Sequence, residues 1–200
     1  MRLYRQMVAV LTGIGLISGA LLVAVNLFTK DRIAENKRKE IELAVVRVIP
    51  GAAASEKIYE EKDFTVYQGK DDQGNVLGIA VNAAAGGFQD KILYMFGLNA
   101  DLTKINGLYV LQQKETPGLG AKITSEEAFL QFWEGRDARA TLKLRKPAIG
   151  KEDLGASEVN TVTGATVSSR AMVSSVNAAL EKIKRLREEG KLASGGGNAD

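Results

Sequence analysis

The tetrapeptide Thr163-Gly164-Ala165-Thr166 sits between a short apolar segment and a long stretch of helical periodicity. A threonine hydroxyl at such a turn lies beside the free N–H groups of a helix start, a natural seat for a phosphate, whether free or covalently attached. The donors would come from Val167, Ser168 and Ser169. A phosphate ester on Thr166 would meet the favourable end of the helix dipole, worth about 0.3–1 kcal/mol and up to about 2 kcal/mol when partly buried. A capping turn explains the same Thr and Gly residues with no ligand. The second segment of interest is Glu115-Thr116-Pro117-Gly118-Leu119-Gly120, between an expected strand and an expected helix. Pro117 fixes one backbone angle, while Gly118 and Gly120 can take conformations that other residues avoid. Such a loop can present backbone N–H groups to a planar polar ring while Leu119 covers its face. The plain alternative is a connecting turn, and spacing alone leaves both open.

Composition narrows the chemistry. The chain has no cysteine and no histidine. That removes thiolate iron–sulfur ligation, the usual zinc sites, a cysteine nucleophile and serine–histidine machinery. No dense carboxylate cluster suggests a metal site, and no catalytic residue is expected. Redox chemistry, if the chain performs any, calls for an organic cofactor. Lys and Arg number 27 against 24 Asp and Glu; without Arg2 and Arg5, which precede an apolar run, 25 face 24. This balance carries no electrostatic footprint for nucleic acid.

The elements that must position these loops follow from periodicity. Gln6 to Thr29 is uncharged over 24 residues, and as a helix it spans roughly 36 Å, enough to cross a hydrocarbon core of about 30 Å with some tilt. It is longer than the apolar region of a signal peptide, and no small-residue cleavage site follows closely. An uncleaved membrane anchor over 1–29 is therefore expected, with Gly15 and Gly19 spaced for close approach of another helix. Asp31 to Ile49 reads as a helix leaving the membrane, a stalk over 30–50 stopped by Pro50-Gly51. The globular domain is expected over 51–190 and a disordered tail over 191–200. Within the domain, Phe64–Gln68 and Val76–Val81 flank the turn cluster Asp71–Asn75 as a hairpin, and Ile92–Leu98 with Ile105–Gln112 form a second pair. Asn106-Gly107 marks a bulge. Ala83 to Phe88 reads as a small-residue connection, either flexible or closely approached by another group. Ser125 begins a helix with Glu126 and Glu127 in its first turn and Phe129, Phe132 and Trp133 on its apolar side, with Trp133 read as core. Thr141–Leu144 is a further strand, and Val167–Glu189 is a long amphipathic helix.

The two loops, in this order behind one membrane span, resemble the G subunits of Rnf electron-transport complexes, members of the FMN-binding domain family. The resemblance runs over about nine-tenths of the chain. It implies an α+β fold: a single N-terminal transmembrane helix, then an FMN-binding domain with an antiparallel sheet and flanking helices. It also implies FMN joined covalently through its phosphate to Thr166, with Thr163, Gly164 and Ala165 shaping the turn. Glu115, Thr116, Gly118 and Leu119 would line the ring or the ribityl chain. In the family a Mg-dependent flavin transferase uses FAD as donor and recognises an acidic residue three positions before the Thr-Gly-Ala-Thr element; this chain has Asn160 there.

The implied role is that of a membrane-anchored electron-transfer subunit in an ion-translocating ferredoxin:NAD+ oxidoreductase. Its partners would be the other membrane and peripheral subunits of the complex. The implied location is the cell inner membrane, single-pass, with the domain on the periplasmic side. A literal charge count argues the other way, because Arg2 and Arg5 face Lys30, Arg32, Lys37, Arg38 and Lys39 across the span. Two rival readings remain: the C subunit of a sodium-translocating NADH:quinone oxidoreductase, and a flavin-free anchored interaction domain.

Overall fold

The computed structural model describes residues 1–147 and 150–192. Most of the expected tail, 193–200, therefore lies outside the described residues. The chain divides into two units, Met1–Ile41 and Glu42–Asp200. Helix α1 runs unbroken over Arg2–Val48, so the expected stalk continues the expected span without a break. In the first unit its apolar side chains are exposed, and mean hydropathy over the best window reaches 2.4, sufficient for a membrane span by length and composition.

The second unit is built on a five-stranded antiparallel sheet in sequential order. Its strands are β1 (Ala54–Glu61), β2 (Phe64–Lys70), β3 (Val76–Gly86), β4 (Lys91–Asn99) and β5 (Ile105–Gln112). Register aligns Val66, Val81 and Phe96, and likewise Phe64, Ala83 and Tyr94. The period of two thus sends one set of side chains from every central strand to the same face. Helix α2 (Thr166–Glu188) lies on that face and buries Met172, Val173, Val176, Leu180 and Ile183 in one cluster with them. Small side chains at Ala83 and Ala85 let the helix come close, and the Ser175 hydroxyl reaches the Ala84 carbonyl at 3.0 Å. On the opposite face the end of α1 and the turn after it bury Ala44, Val45, Val48 and Ile49. The Arg47 guanidinium lies 4.7 Å from the centre of the Tyr109 ring.

The hairpin turn at Asp71 forms as its sequence requires, with Asp71 Oδ1 accepting the N–H groups of Gln73 at 2.9 Å and Asn75 at 2.8 Å. The expected bulge is present: Gly97 pairs with Gly107 and Leu98 with Ile105, leaving Asn106 as the extra residue. Two local readings differ. Ala83 to Gly86 is strand rather than connection, because packing under α2 outweighs the low strand preference of alanine. Ser125 opens a turn rather than an α-helix, although its hydroxyl still caps the Ala128 N–H at 3.2 Å. That segment continues as a short 3₁₀ turn at Leu130–Trp133, with Phe129, Leu130, Phe132 and Trp133 all buried. Strand β1 had no clear signal. A short parallel pair, β6 (Lys143–Arg145) and β7 (Glu158–Asn160), completes the unit.

Gly97 on β4 is where the last turn of α1 touches the sheet. A Cβ there would collide with the Val48 backbone carbonyl, whereas its register partner Gly107 has open space out to 4 Å. Gly97→Ala is expected to lower stability by about 1–3 kcal/mol or more, and Gly107→Ala to stay within about 0.5 kcal/mol of the parent. Thermal melting of the two variants, followed by circular dichroism, checks this difference.

Candidate functional site

β5 delivers the chain into the Glu115–Gly120 loop. There the Thr116 carbonyl accepts the N–H of Leu119 at 3.1 Å and of Ala121 at 3.2 Å. Pro117 and Gly118 occupy the middle of this turn, and Gly118 takes φ +75°, a value that disfavours any side chain. β7 delivers the second turn. Here the Ala165 N–H donates to the Val162 carbonyl at 2.9 Å, and Gly164 takes φ +84°. Intrahelical bonding in α2 then begins with the Ser169 N–H on the Ala165 carbonyl at 2.8 Å. The N–H groups of Thr166, Val167 and Ser168 thus precede the first intrahelical bond, as a helix start dictates. The Ser169 hydroxyl accepts the Val162 N–H at 3.3 Å and closes the turn on itself.

The two turns meet. A Cβ on Gly164 would stand 3.2 Å from Leu119 Cδ2, so the apolar side chain of one loop rests against the bare backbone of the other. Behind that contact lies Glu115, only 4% exposed. Its Oε2 accepts the Ser168 hydroxyl at 2.6 Å and its Oε1 accepts the Gln89 N–H at 3.0 Å. The carboxylate therefore joins three segments: the loop after β5, the connection between β3 and β4, and the first turn of α2. Gly87 and Gly120 are bare because a Cβ at either would strike that carboxylate. Gln89 adds a second link, its side-chain amide donating to Thr116 Oγ1 at 3.0 Å. Burial alone would push the Glu115 carboxyl up. Donation from Ser168 and from the backbone N–H groups of Gln89, Phe88 and Asp90 outweighs it and holds the carboxyl below its ordinary value.

A cleft of about 320 Å³ opens at this junction. Six of the eight residues expected from sequence line it: Glu115, Thr116, Leu119, Gly164, Ala165 and Thr166. Gly118 and Thr163 stand outside the lining and shape the turns. Glu115 differs most from expectation, since its carboxylate is spent on protein donors rather than offered to the opening. Sequence reading missed Phe88 and Gly120 as lining residues, and saw Val167 and Ser168 only as backbone donors. The available signal for Phe88 was a lone aromatic after a glycine pair.

The cleft lining combines polar groups with exposed apolar side chains. Thr166 is exposed, beside the free N–H groups that open α2. Beyond α1, the exposed large hydrophobic side chains among the described residues are Phe88 (70%), Leu119 (52%) and Val167 (53%), and all three line this cleft. Residues 87–181 match the FMN-binding domain family. The match takes in Phe88, both loops and most of α2. Over longer stretches the chain is similar to the G subunit of an ion-translocating oxidoreductase complex from Methanosarcina acetivorans, 28% identical across 89% of this chain and 93% of that one. It is also similar to the G subunit of a Na(+)-translocating ferredoxin:NAD(+) oxidoreductase complex from Acetobacterium woodii, 27% identical across 86% and 88%. The fold resembles the crystal structure of Shewanella oneidensis NqrC, with a TM-score of 0.53 at 22% identity over 65% of this chain and 66% of that one. NqrC therefore shares the antiparallel sheet with flanking helices read from the sequence.

Asn160, three positions before Thr163, is buried, and its amide donates to the Ala128 carbonyl at 2.9 Å. An ionised aspartate cannot donate to that carbonyl. Asn160→Asp is accordingly expected to cost about 1–3 kcal/mol at neutral pH, and to recover part of it in acid as the new carboxyl protonates. Urea unfolding of parent and variant at neutral and acid pH measures both effects.

Glu115 has the opposite dependence. Because its folded value is depressed, the stability it contributes is present above the ordinary carboxylate range and is lost as pH falls through the depressed value. Glu115→Gln should be less stable than the parent by about 1.5–3 kcal/mol near neutrality. The gap should narrow as pH drops below about 4. Urea unfolding of both proteins across that range measures it, and a gap independent of pH would contradict the ionised clasp.

Proposed function

We propose that the cleft holds FMN, esterified through its phosphate to Thr166. On this reading the chain is the membrane-anchored electron-transfer subunit of an ion-translocating ferredoxin:NAD+ oxidoreductase complex. The observation that carries the reading is the makeup of the cleft lining. A phosphate suits Thr166 and the first N–H groups of α2. A flat aromatic ring suits Phe88, Leu119 and Val167, the exposed large apolar side chains in the same lining. The donor set thus fits the group that the matched family is named for. Bound FMN supplies reversible electron transfer, for which a chain without cysteine or histidine has no substitute among its usual redox and ligating side chains.

In this reading the Thr166 hydroxyl oxygen takes the flavin phosphoryl group from FAD, releasing AMP and giving up its proton, with a flavin transferase as catalyst. Thr166 is suited to this because it is exposed and stands at the first position of α2, where no side-chain cap engages the helix start. Glu115 and Ser168 hold that helix start against the Glu115–Gly120 loop. Thr116 and Leu119 face the cleft and contact the bound group, while Gly118, Thr163, Gly164 and Ala165 set the backbone of the two turns.

Similarity to relatives named as G subunits over most of the chain favours this assignment over the C subunit of a sodium-translocating NADH:quinone oxidoreductase, to which the likeness is one of fold. The remaining subunits of such a complex are the partners. The domain belongs, on this reading, outside the cytoplasm, with α1 in the cell inner membrane. The cations that follow the span are mixed with acidic residues, as in the Lys39–Glu35 pair at 2.8 Å, which weakens the opposing charge count.

The test is the intact mass of the full chain produced together with an active flavin transferase. The expected gain is the mass of FMN less one water, absent from Thr166→Val. No gain in the parent chain would remove the phosphoester and favour the flavin-free interaction domain.

A further inference from the structure

Phe88 is a large apolar side chain that the fold could have buried and did not. It lies on the short connection between β3 and β4, with 70% of its surface exposed. The backbone on either side is held in place. The Gly87 N–H donates to the Asp90 carbonyl at 3.0 Å, and the Gln89 N–H donates to Glu115 Oε1 at 3.0 Å. Gly87 is packed so closely against Glu115, the Asp90 carbonyl and Ile92 that no side chain fits there. A loose loop with an accidental aromatic would show none of this. The Phe88 backbone is fixed on both sides, and its exposed side chain is left in the lining of the cleft.

The same carboxylate that holds this connection also holds Ser168, two residues after Thr166. Phe88 and Thr166 are therefore set relative to one another through a single buried group, although 78 residues of sequence separate their numbers. Both are exposed and both line the cleft, one carrying a hydroxyl and the other an aromatic ring. Among the described residues Phe88 is the aromatic side chain in that lining.

We infer that Phe88 is the positioning residue for the flavin ring: it stacks on the isoalloxazine and seats it in the cleft, while Thr166 anchors the phosphate. The inference rests on the flavin reading above and adds to it a separable function. Attachment belongs to Thr166 and seating belongs to Phe88. With the phosphate tethered, seating is an intramolecular equilibrium between a ring in the cleft and a ring in water. The stacking contribution of one aromatic pair corresponds to a factor of about 2–10 in that equilibrium.

The experiment uses the full chain, flavin-loaded by the transferase, as parent, Phe88→Ala and Phe88→Tyr. Intact mass reports attachment, and visible circular dichroism with iodide quenching of the flavin reports seating. The expected result is equal attachment in all three proteins. In Phe88→Ala the visible circular dichroism falls and iodide gains access, with the unseated fraction rising about 2–10-fold. Phe88→Tyr, which keeps the ring, stays close to the parent. Full attachment with unchanged dichroism and quenching in Phe88→Ala would overturn the seating role and leave the flavin reading intact. A parent chain that takes up no flavin would overturn both. Far-ultraviolet dichroism of the same samples checks folding, which an exposed side chain is not expected to disturb.

Discussion

The Glu115 carboxylate is the constraint around which the cleft is arranged. An ionised group that is almost fully buried is costly unless its oxygens find donors, and here they find a hydroxyl from α2 and an N–H from the β3–β4 connection. Those donors come from positions 26 and 53 residues away in sequence. Satisfying one charge therefore ties together three segments that lie far apart in sequence. The bare backbones at Gly87 and Gly120 are part of the same arrangement, since a methyl group at either would push the carboxylate out of reach of its donors. The two turns then need only small adjustments, which Gly118 and Gly164 absorb through their left-handed backbone angles.

The sheet beneath provides the rigidity that such a junction needs. Its central strands are covered on both faces, by α2 on one and by the end of α1 on the other. Asn177 secures α2 a second time, accepting the Leu142 N–H and donating to the Leu142 carbonyl, each at 2.9 Å. Helix α2 is thus held along its length: Ser168 is tied to the Glu115 loop, Ser175 to β3, and Asn177 to the segment entering β6. A helix start held this way keeps its free N–H groups in one place without the side-chain cap that helix starts commonly use.

Where sequence and structure agree, the signal was local. An uncharged run, an Asp-rich turn, an Asn-Gly bulge and a long amphipathic repeat each carry their own physical instruction, and α1, the β2–β3 hairpin, Asn106 and α2 follow from them. Both loops were legible for the same reason, as glycine and proline at turn positions. What was not legible depends on partners distant in sequence. Ala83 to Gly86 becomes strand because α2 lies over it. The apolar residues from Phe129 to Trp133 are all buried, so they cannot present the one-sided pattern of a surface helix. Strand β1 is mostly exposed and rich in charge, which left its period of two with little contrast. Glu115 was singled out only as a residue lining the flavin; its bond to the Ser168 hydroxyl, 53 residues away, is a pairing that local sequence does not announce.

The shallowness of the cleft is itself informative. Leu119 and Val167 keep about half of their surface exposed, and Phe88 more than that. A free ligand seated against such exposed side chains recovers less apolar contact than one in an enclosed pocket, against the same loss of translational freedom. A group tethered at Thr166, as proposed, would already have met that cost in a covalent bond, so a shallow seat would be enough to orient it. The same openness would leave a ring seated there accessible to another protein. A deep pocket would bind a flavin more tightly and isolate it from electron donors and acceptors. For a subunit proposed to relay electrons, a strong tether with a shallow seat is the arrangement that reconciles retention with access.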